Sequence, residues 1–170
     1  MSSADAALKI KRALLTVSDK TDLLPLARAL VRSGTEIVAT GKTAELLKQD
    51  GIKVVPIEEI SGSPEAFQGR MKTLSFPVCS GILYRRGDSS DEADLKQLSI
   101  LPIDCIVVNF YPFEETLKKF SQDEIHQKNK ILIEQIDIGG PTLVRVAAKN
   151  TPFVQLKFYF FDESHLEKIS

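Results

Sequence analysis

A chain of 170 residues, 43% hydrophobic and 26% charged, has the composition of an ordinary soluble globular protein, and a single domain of that length buries roughly two thirds of its unfolded surface. A formal net charge of −1 excludes the broad basic field of a general nucleic-acid or membrane-surface binder, so any anion site has to be local. Two cysteines without CxxC spacing and two histidines, His126 and His165, in polar surroundings make no metal-ligand set.

The opening segment MSSADAALKIKR lacks the apolar core of a signal peptide or membrane anchor. The expected compartment is therefore the cytoplasm, with Cys79 and Cys105 as buried free thiols. "ALLTVS" (Ala13–Ser18) is predicted as a first buried strand. "DLLPLARALVRSG" places Leu23, Leu26 or Ala27, and Leu30 on one helical face, with Pro25 tolerated near the start and Gly34 as the C-terminal cap. "TEIVAT" (Thr35–Thr40) is a second strand, "TAELLKQDG" a short helix and "IKVVPI" (Ile52–Ile57) a third strand. Ser61–Gly81, rich in Gly, Ser and Pro, shows no period and is expected to be a long functional loop, after which "GILY" returns the chain to the sheet.

"DEADLKQLSI" has a helical pattern, and the unbroken apolar run "IDCIVVNFY" (Ile103–Tyr111) suits a strand covered on both faces. A polar, Lys-rich stretch follows. "DIGGPTLVRVAAKN" then presents a Gly-Gly-Pro turn opening a helix, and "FVQLKFYFFDESHLEKIS" is a last strand with a short tail. Alternation of strands and helices without repeats or linkers predicts one α/β domain over residues 1–170, three-layer α/β/α with a mostly parallel central sheet.

The letters GKT at Gly41-Lys42-Thr43 invite a triphosphate cradle, GxxxxGK[ST]. Counting back, the first glycine falls on Glu36, whose carboxylate would repel phosphate, and that reading fails. A strand end, a glycine and Thr43 at a helix start still favour an anion. "TVSDKTD" repeats the layout after the first strand with Ser18 and Lys20, and two adjacent strand ends of this kind could flank one phosphate. Two plain helix caps are the alternative.

"GRMKTL" carries Arg70, Lys72 and Thr73, which on charge alone is equally a solvated basic turn. Asn109 and Tyr111 leave the fourth strand at the sheet edge where α/β sites lie, or simply mark its junction with Pro112. Asp137 before Gly139-Gly140 and Lys149 at the helix end are, singly, a loop carboxylate and a lysine favoured by the dipole.

In this order, "LLTVSDKTDLLPLARAL", "TGKTAELL", "GRMKTL", "IDCIVVNFYPFEETL" and "IEQIDIGGPTLVRVAAKN" resemble the inosine monophosphate (IMP) cyclohydrolase domain, over about residues 12–150. In most organisms that domain is the N-terminal part of the bifunctional AICAR transformylase/IMP cyclohydrolase. The resemblance implies a methylglyoxal-synthase-like fold and closure of the purine ring of formyl-AICAR ribonucleotide to IMP and water. It implies neither metal nor cofactor, a purine nucleotide as the small-molecule partner rather than nucleic acid or membrane, and a homodimer. The transformylase domain has no counterpart in the sequence, leaving that step to a separate or missing partner.

By the same resemblance Lys72, Tyr111, Asp137 and Lys149 are the catalytic residues, Asp137 and Lys149 as a coupled proton-moving pair and Lys72 and Tyr111 as donors to the oxygen that gains charge. Ser18, Lys20, Thr40, Gly41, Thr43, Arg70, Thr73, Asn109, Gly139 and Gly140 are the substrate-binding residues, the phosphate lying among Ser18, Lys20, Gly41, Thr43 and Arg70. The chain departs from the family where "KTLSFPVCSG" stands for KTLHPxVHxG, putting Ser75 and Cys79 in place of two histidines. It departs again where Lys42 replaces the second glycine of Gly-Gly-Thr; Lys42 is expected to point into water. These departures keep a non-catalytic purine-nucleotide-binding or regulatory domain open as the alternative. Methylglyoxal synthase itself is disfavoured, because the chain lacks a matching histidine.

Overall fold

The computed structural model describes residues 9–121, 125, 127–151 and 153–158. The elements are β1 (Arg12–Thr16), α1 (Leu23–Arg32), β2 (Glu36–Ala39), α2 (Gly41–Gln49), β3 (Val54–Pro56), α3 (Ile57–Ser61), α4 (Phe76–Leu83), α5 (Ser89–Gln97), β4 (Cys105–Val108), α6 (Phe113–Leu117), α7 (Asn129–Ile133), α8 (Gly139–Lys149) and β5 (Gln155–Phe158). His126, His165 and the tail after Phe158 lie outside the described residues.

The five strands form one sheet in the order β3-β2-β1-β4-β5, every pairing parallel. Parallel neighbours need a crossover on a face of the sheet, so both faces are covered. Successive side chains of a strand point to opposite faces. Ala13 and Leu15 of β1 therefore pack with Leu23 and Ala27 of α1 and Ala44 and Leu47 of α2. Leu14 faces the other way, into a second core with Ile57 and Ile60 of α3, Val78 and Ile82 of α4, and Leu143 and Ala147 of α8. The expected α/β/α layering is present.

The stretch Ser61–Gly81 is not one long loop. Ser75 caps α4, its hydroxyl accepting from the Val78 N–H at 3.3 Å, and Pro77 sits in the first turn, where a missing N–H costs least. "GILY" ends this helix instead of forming a strand. Gly81 is where α4 lies against the segment entering β4: a Cβ there would stand 2.3 Å from the Leu101 carbonyl oxygen. Cys79, on the same helix, is half-buried and Cys105 buried, both free thiols. Burial raises the pKa of both, Cys105 to about 12, so neither is a ready thiolate at neutral pH.

The amino-terminal edge of the sheet is knotted by Asp104, a buried carboxylate. Its Oδ2 accepts from the Lys11 and Arg12 N–H groups at 2.9 and 3.0 Å, and its Oδ1 from Arg86 Nη2 at 2.8 Å. Arg86 in turn stacks on the Tyr84 ring, 4.6 Å from its centroid. Removing the carboxylate strands a largely buried guanidinium and two backbone donors. Asp104→Ala is accordingly expected to lower unfolding free energy by about 3 kcal/mol in urea titrations.

Candidate functional site

The strand order changes direction between β1 and β4: the chain runs outward to β3, then returns to lay β4 on the other side of β1. In an open parallel sheet the crevice beyond the carboxyl ends at such a point is where ligands bind. Asn109, the residue after β4 and itself buried, holds that crevice together. Its Oδ1 accepts from the Ser18 and Asp19 N–H groups at 2.5 and 3.1 Å, and its Nδ2 donates to the Asp19 carbonyl at 2.8 Å. The expected substrate-binding Asn109 thus spends its amide on the turn after β1, and orients Ser18 from behind.

Lys20 folds back over the same turn, its ammonium donating to the Ser18 and Val17 carbonyls at 3.0 and 3.3 Å. Its pKa is lowered, first by burial and then by the charge of Lys42, against an opposing pull from Asp19. Lys42 is exposed, in keeping with the expectation that it points to solvent, yet its charge is felt at Lys20. It keeps a negative φ, so replacing the family glycine brings no strain there. Gly41 does carry positive φ, at +38°.

α2 begins at Gly41, two residues earlier than predicted. The Thr43 hydroxyl turns inward, donating to the Val17 carbonyl at 3.1 Å, and Thr43 N–H bonds the Thr40 carbonyl at 3.0 Å. The Thr40 hydroxyl lies 3.2 Å from that of Thr16. Both hydroxyls, expected on the substrate, instead join the ends of β1 and β2. The consequence is that α2 has no side-chain cap, and its first N–H groups, those of Gly41 and Lys42, have no acceptor within the helix.

Lys72 reaches this helix end: its Nζ is 3.2 Å from where a Cβ on Gly41 would stand. The next residue, buried Thr73, places its Oγ1 3.0 Å from a Cβ built on Gly139, at the start of α8. Two consecutive residues therefore touch the amino-terminal ends of two helices, one on each side of the switch point. Asn109 and Phe110 divide likewise between two elements: Asn109 binds the turn after β1, and the Phe110 ring packs on Gly140, whose Cβ would meet it at 2.8 Å. Asp137 Oδ1 accepts from the Gly140 N–H at 2.8 Å, so the carboxylate is fixed at the α8 start. Tyr111 is exposed just beyond β4.

Two expected residues are placed elsewhere. Arg70 pairs with Glu134 at 2.6 Å, both side chains well exposed, away from Ser18, Lys20, Gly41 and Thr43 with which it was expected to group. Lys149 is the last of the 11 residues of α8, which at about 1.5 Å per residue puts it about 15 Å from the helix start beside Asp137. Its neighbour Asn150 donates to the Ile82 and Tyr84 carbonyls at 2.6 and 2.8 Å, at the end of α4 and the opposite edge of the sheet. Within one chain Asp137 and Lys149 do not form the expected pair, because the helix between them is too long.

The sequence reading missed Glu65, whose Oε2 is 3.1 Å from Lys72 Nζ, and Gly69, at φ +93°, against which both side chains pack. Neither carries a signal in a segment rich in Gly, Ser and Pro. Among the described residues no group of three or more His, Cys, Asp or Glu could hold a metal ion, and no helix is long and apolar enough to cross a membrane. The Asn109 clamp makes a direct forecast. Asn109→Ala removes three hydrogen bonds at about 1 kcal/mol each, and is expected to cost about 3 kcal/mol of stability by urea titration while weakening sulfate binding by calorimetry.

Residues 22–142 match the MGS-like domain family. The bifunctional purine biosynthesis protein PurH of Anaeromyxobacter sp. (strain K) is 46% identical over 160 residues, covering 94% of this chain and 29% of that protein. PurH of Bacillus subtilis (strain 168) is 44% identical over 143 residues, covering 84% and 27%. The chain thus spans under a third of the length of the curated relatives it matches. The crystal structure of ForH superposes with a TM-score of 0.69 at 34% identity, over 87% of this chain and 74% of that one. On the family match and the parallel sheet together, this chain belongs to the MGS-like domain family.

Proposed function

We propose that residues 1–170 act as an IMP cyclohydrolase domain, closing the ring of formyl-AICAR ribonucleotide to IMP, with the transformylase step left to a separate or missing partner. The observation that carries this reading is the convergence of two helix starts, α2 and α8, on the switch-point crevice, with Lys20, Lys42 and Lys72 around the uncapped one. A helix start with free N–H groups and nearby ammonium groups suits one phosphate. The likeness to PurH proteins supports a purine nucleotide as what that phosphate belongs to.

With the 5′-phosphate at Gly41 and Lys42, the base extends past Lys72 and Thr73 toward Asp137 and Gly139. The carboxamide nitrogen attacks the formyl carbon and gives up a proton. The resulting tetrahedral hydroxyl leaves as water once protonated, and the formamide nitrogen gives up its proton as the ring C=N bond forms, giving IMP. Lys72 and Tyr111 donate to the oxygen as it gains charge, and Asp137, whose Oδ1 is pinned by Gly140, offers its other oxygen as proton carrier. None of these steps calls for a metal or redox cofactor.

Lys149 reaches such a site only from a second copy, and the proposed homodimer supplies one. Ile131, Ile133, Ile136 and Ile138, exposed by 44 to 58% around α7 and the approach to α8, give the apolar surface that a homodimer buries. A second reading, nucleotide binding without turnover, is favoured by Ser75 and Cys79. Where the family has histidines, one residue caps α4 and the other holds its proton.

Formation of IMP from formyl-AICAR ribonucleotide, followed by absorbance, tests the activity; IMP binding without turnover would select the second reading. Lys72→Met and Asp137→Asn are each expected to lower kcat by about 100-fold or more with the fold retained, and full activity in either would remove its assigned role. Co-expressed Asp137→Asn and Lys149→Met chains are expected to recover about a quarter of wild-type activity if a shared interface builds each site. No recovery would mean that Lys149 serves no partner's site.

A further inference from the structure

Lys20, Lys42 and Lys72 gather at the positive end of the α2 dipole, an arrangement that repels itself unless a negative charge is present. In this structure Asp19 acts on Lys20, and the charge that meets Lys72 is Glu65. Its carboxylate lies 3.1 Å from Lys72 Nζ and 3.9 Å from where a Cβ on Gly41 would stand. The ion pair closes a miniature hairpin: Ala66 and Met71 exchange backbone hydrogen bonds at 3.0 and 3.2 Å, and Glu65 and Lys72 flank that pair. The turn between them holds Phe67 and Gln68 at positive φ, 54° and 55°, an unfavourable backbone for such residues. Phe67 is 75% exposed, so packing does not explain the turn.

We infer that Glu65 is an internal stand-in for the bound anion: its carboxylate holds Lys72 at the α2 start, and an incoming phosphate displaces it and frees Lys72 for the reacting oxygen. An anion on the Gly41 and Lys42 N–H groups and a carboxylate this close to the same helix end repel each other, so the two exclude one another. Glu65 thereby sets a threshold on what enters, because a ligand with less negative charge than a phosphate cannot displace its carboxylate from the α2 start. This inference rests on the reading of the α2 start as the phosphate seat.

Sulfate, doubly charged at neutral pH, is the probe, with IMP beside it. Glu65→Gln keeps the shape of the side chain and removes its charge. By calorimetry it is expected to bind sulfate and IMP about three-fold more tightly than wild type, as suits one partly exposed charge. Unchanged or weaker binding in the variant overturns the inference, since a carboxylate that merely positioned Lys72 would be missed by the ligand. Absence of sulfate and IMP binding in both proteins overturns the phosphate seat itself. In the wild-type protein, carbodiimide labelling of the Glu65 carboxyl, read by peptide mass spectrometry, is expected to rise on adding sulfate relative to chloride at equal ionic strength. Labelling that stays level or falls counts against displacement.

Discussion

The parallel pairing of β1 with β4 is the contact on which the rest depends. It sets Ala13 beside Cys105 and Thr16 beside Val108, so the turns that follow the two strands open at the same edge. Asn109 then ties the turn after β1 to the end of β4 through three hydrogen bonds. Without that pairing, Ser18 and Lys20 have no fixed relation to Phe110, and the two helix starts lose their common crevice. Burial of both sheet faces is what makes the pairing durable, since each strand of the pair is apolar throughout its centre.

The electrostatics of the crevice follow from hydroxyls spent elsewhere. Thr40 and Thr43 are residue types that could cap a helix, yet one meets Thr16 and the other Val17. This welds β1 to β2 and leaves the α2 start open. On the far side the reverse holds, for Asp137 caps α8 by taking the Gly140 N–H and brings a negative charge with it. The crevice is therefore polarised, cationic at α2 and anionic at α8. A ligand with a phosphate at one end and a proton-exchanging group at the other matches that polarity.

The strands were legible because continuous apolar runs such as "IDCIVVNFY" belong to strands buried on both sides. Helix α4 was not, because "FPVCSGIL" is apolar nearly all round and presents no helical stripe to recognise. The nearness of the Ser18–Lys20 turn to the Gly41–Thr43 turn was visible from strand-end chemistry, whereas the approach of Lys72 to Gly41 was not, since the resemblance set Lys72 at the reacting centre and Arg70 beside the phosphate. The inward turn of Thr43 was not, since its partner at Val17 becomes a neighbour only through sheet pairing. The separation of Lys149 from Asp137 was within reach of the sequence alone: a helical run from Gly139 to Lys149 is too long for its two ends to meet. Glu65 lay hidden because nothing in a sequence without period shows which charge crosses a turn.

Lys72 and Thr73 touch different helices while joined by a single peptide unit, about 3.8 Å between their α carbons. That short rigid link works as a gauge. A shift between the starts of α2 and α8 pulls Thr73 from Gly139 or takes up the slack of the Lys72 side chain at Gly41. The spacing between the two helix ends is thus written into the chain itself, in two neighbouring residues of one segment.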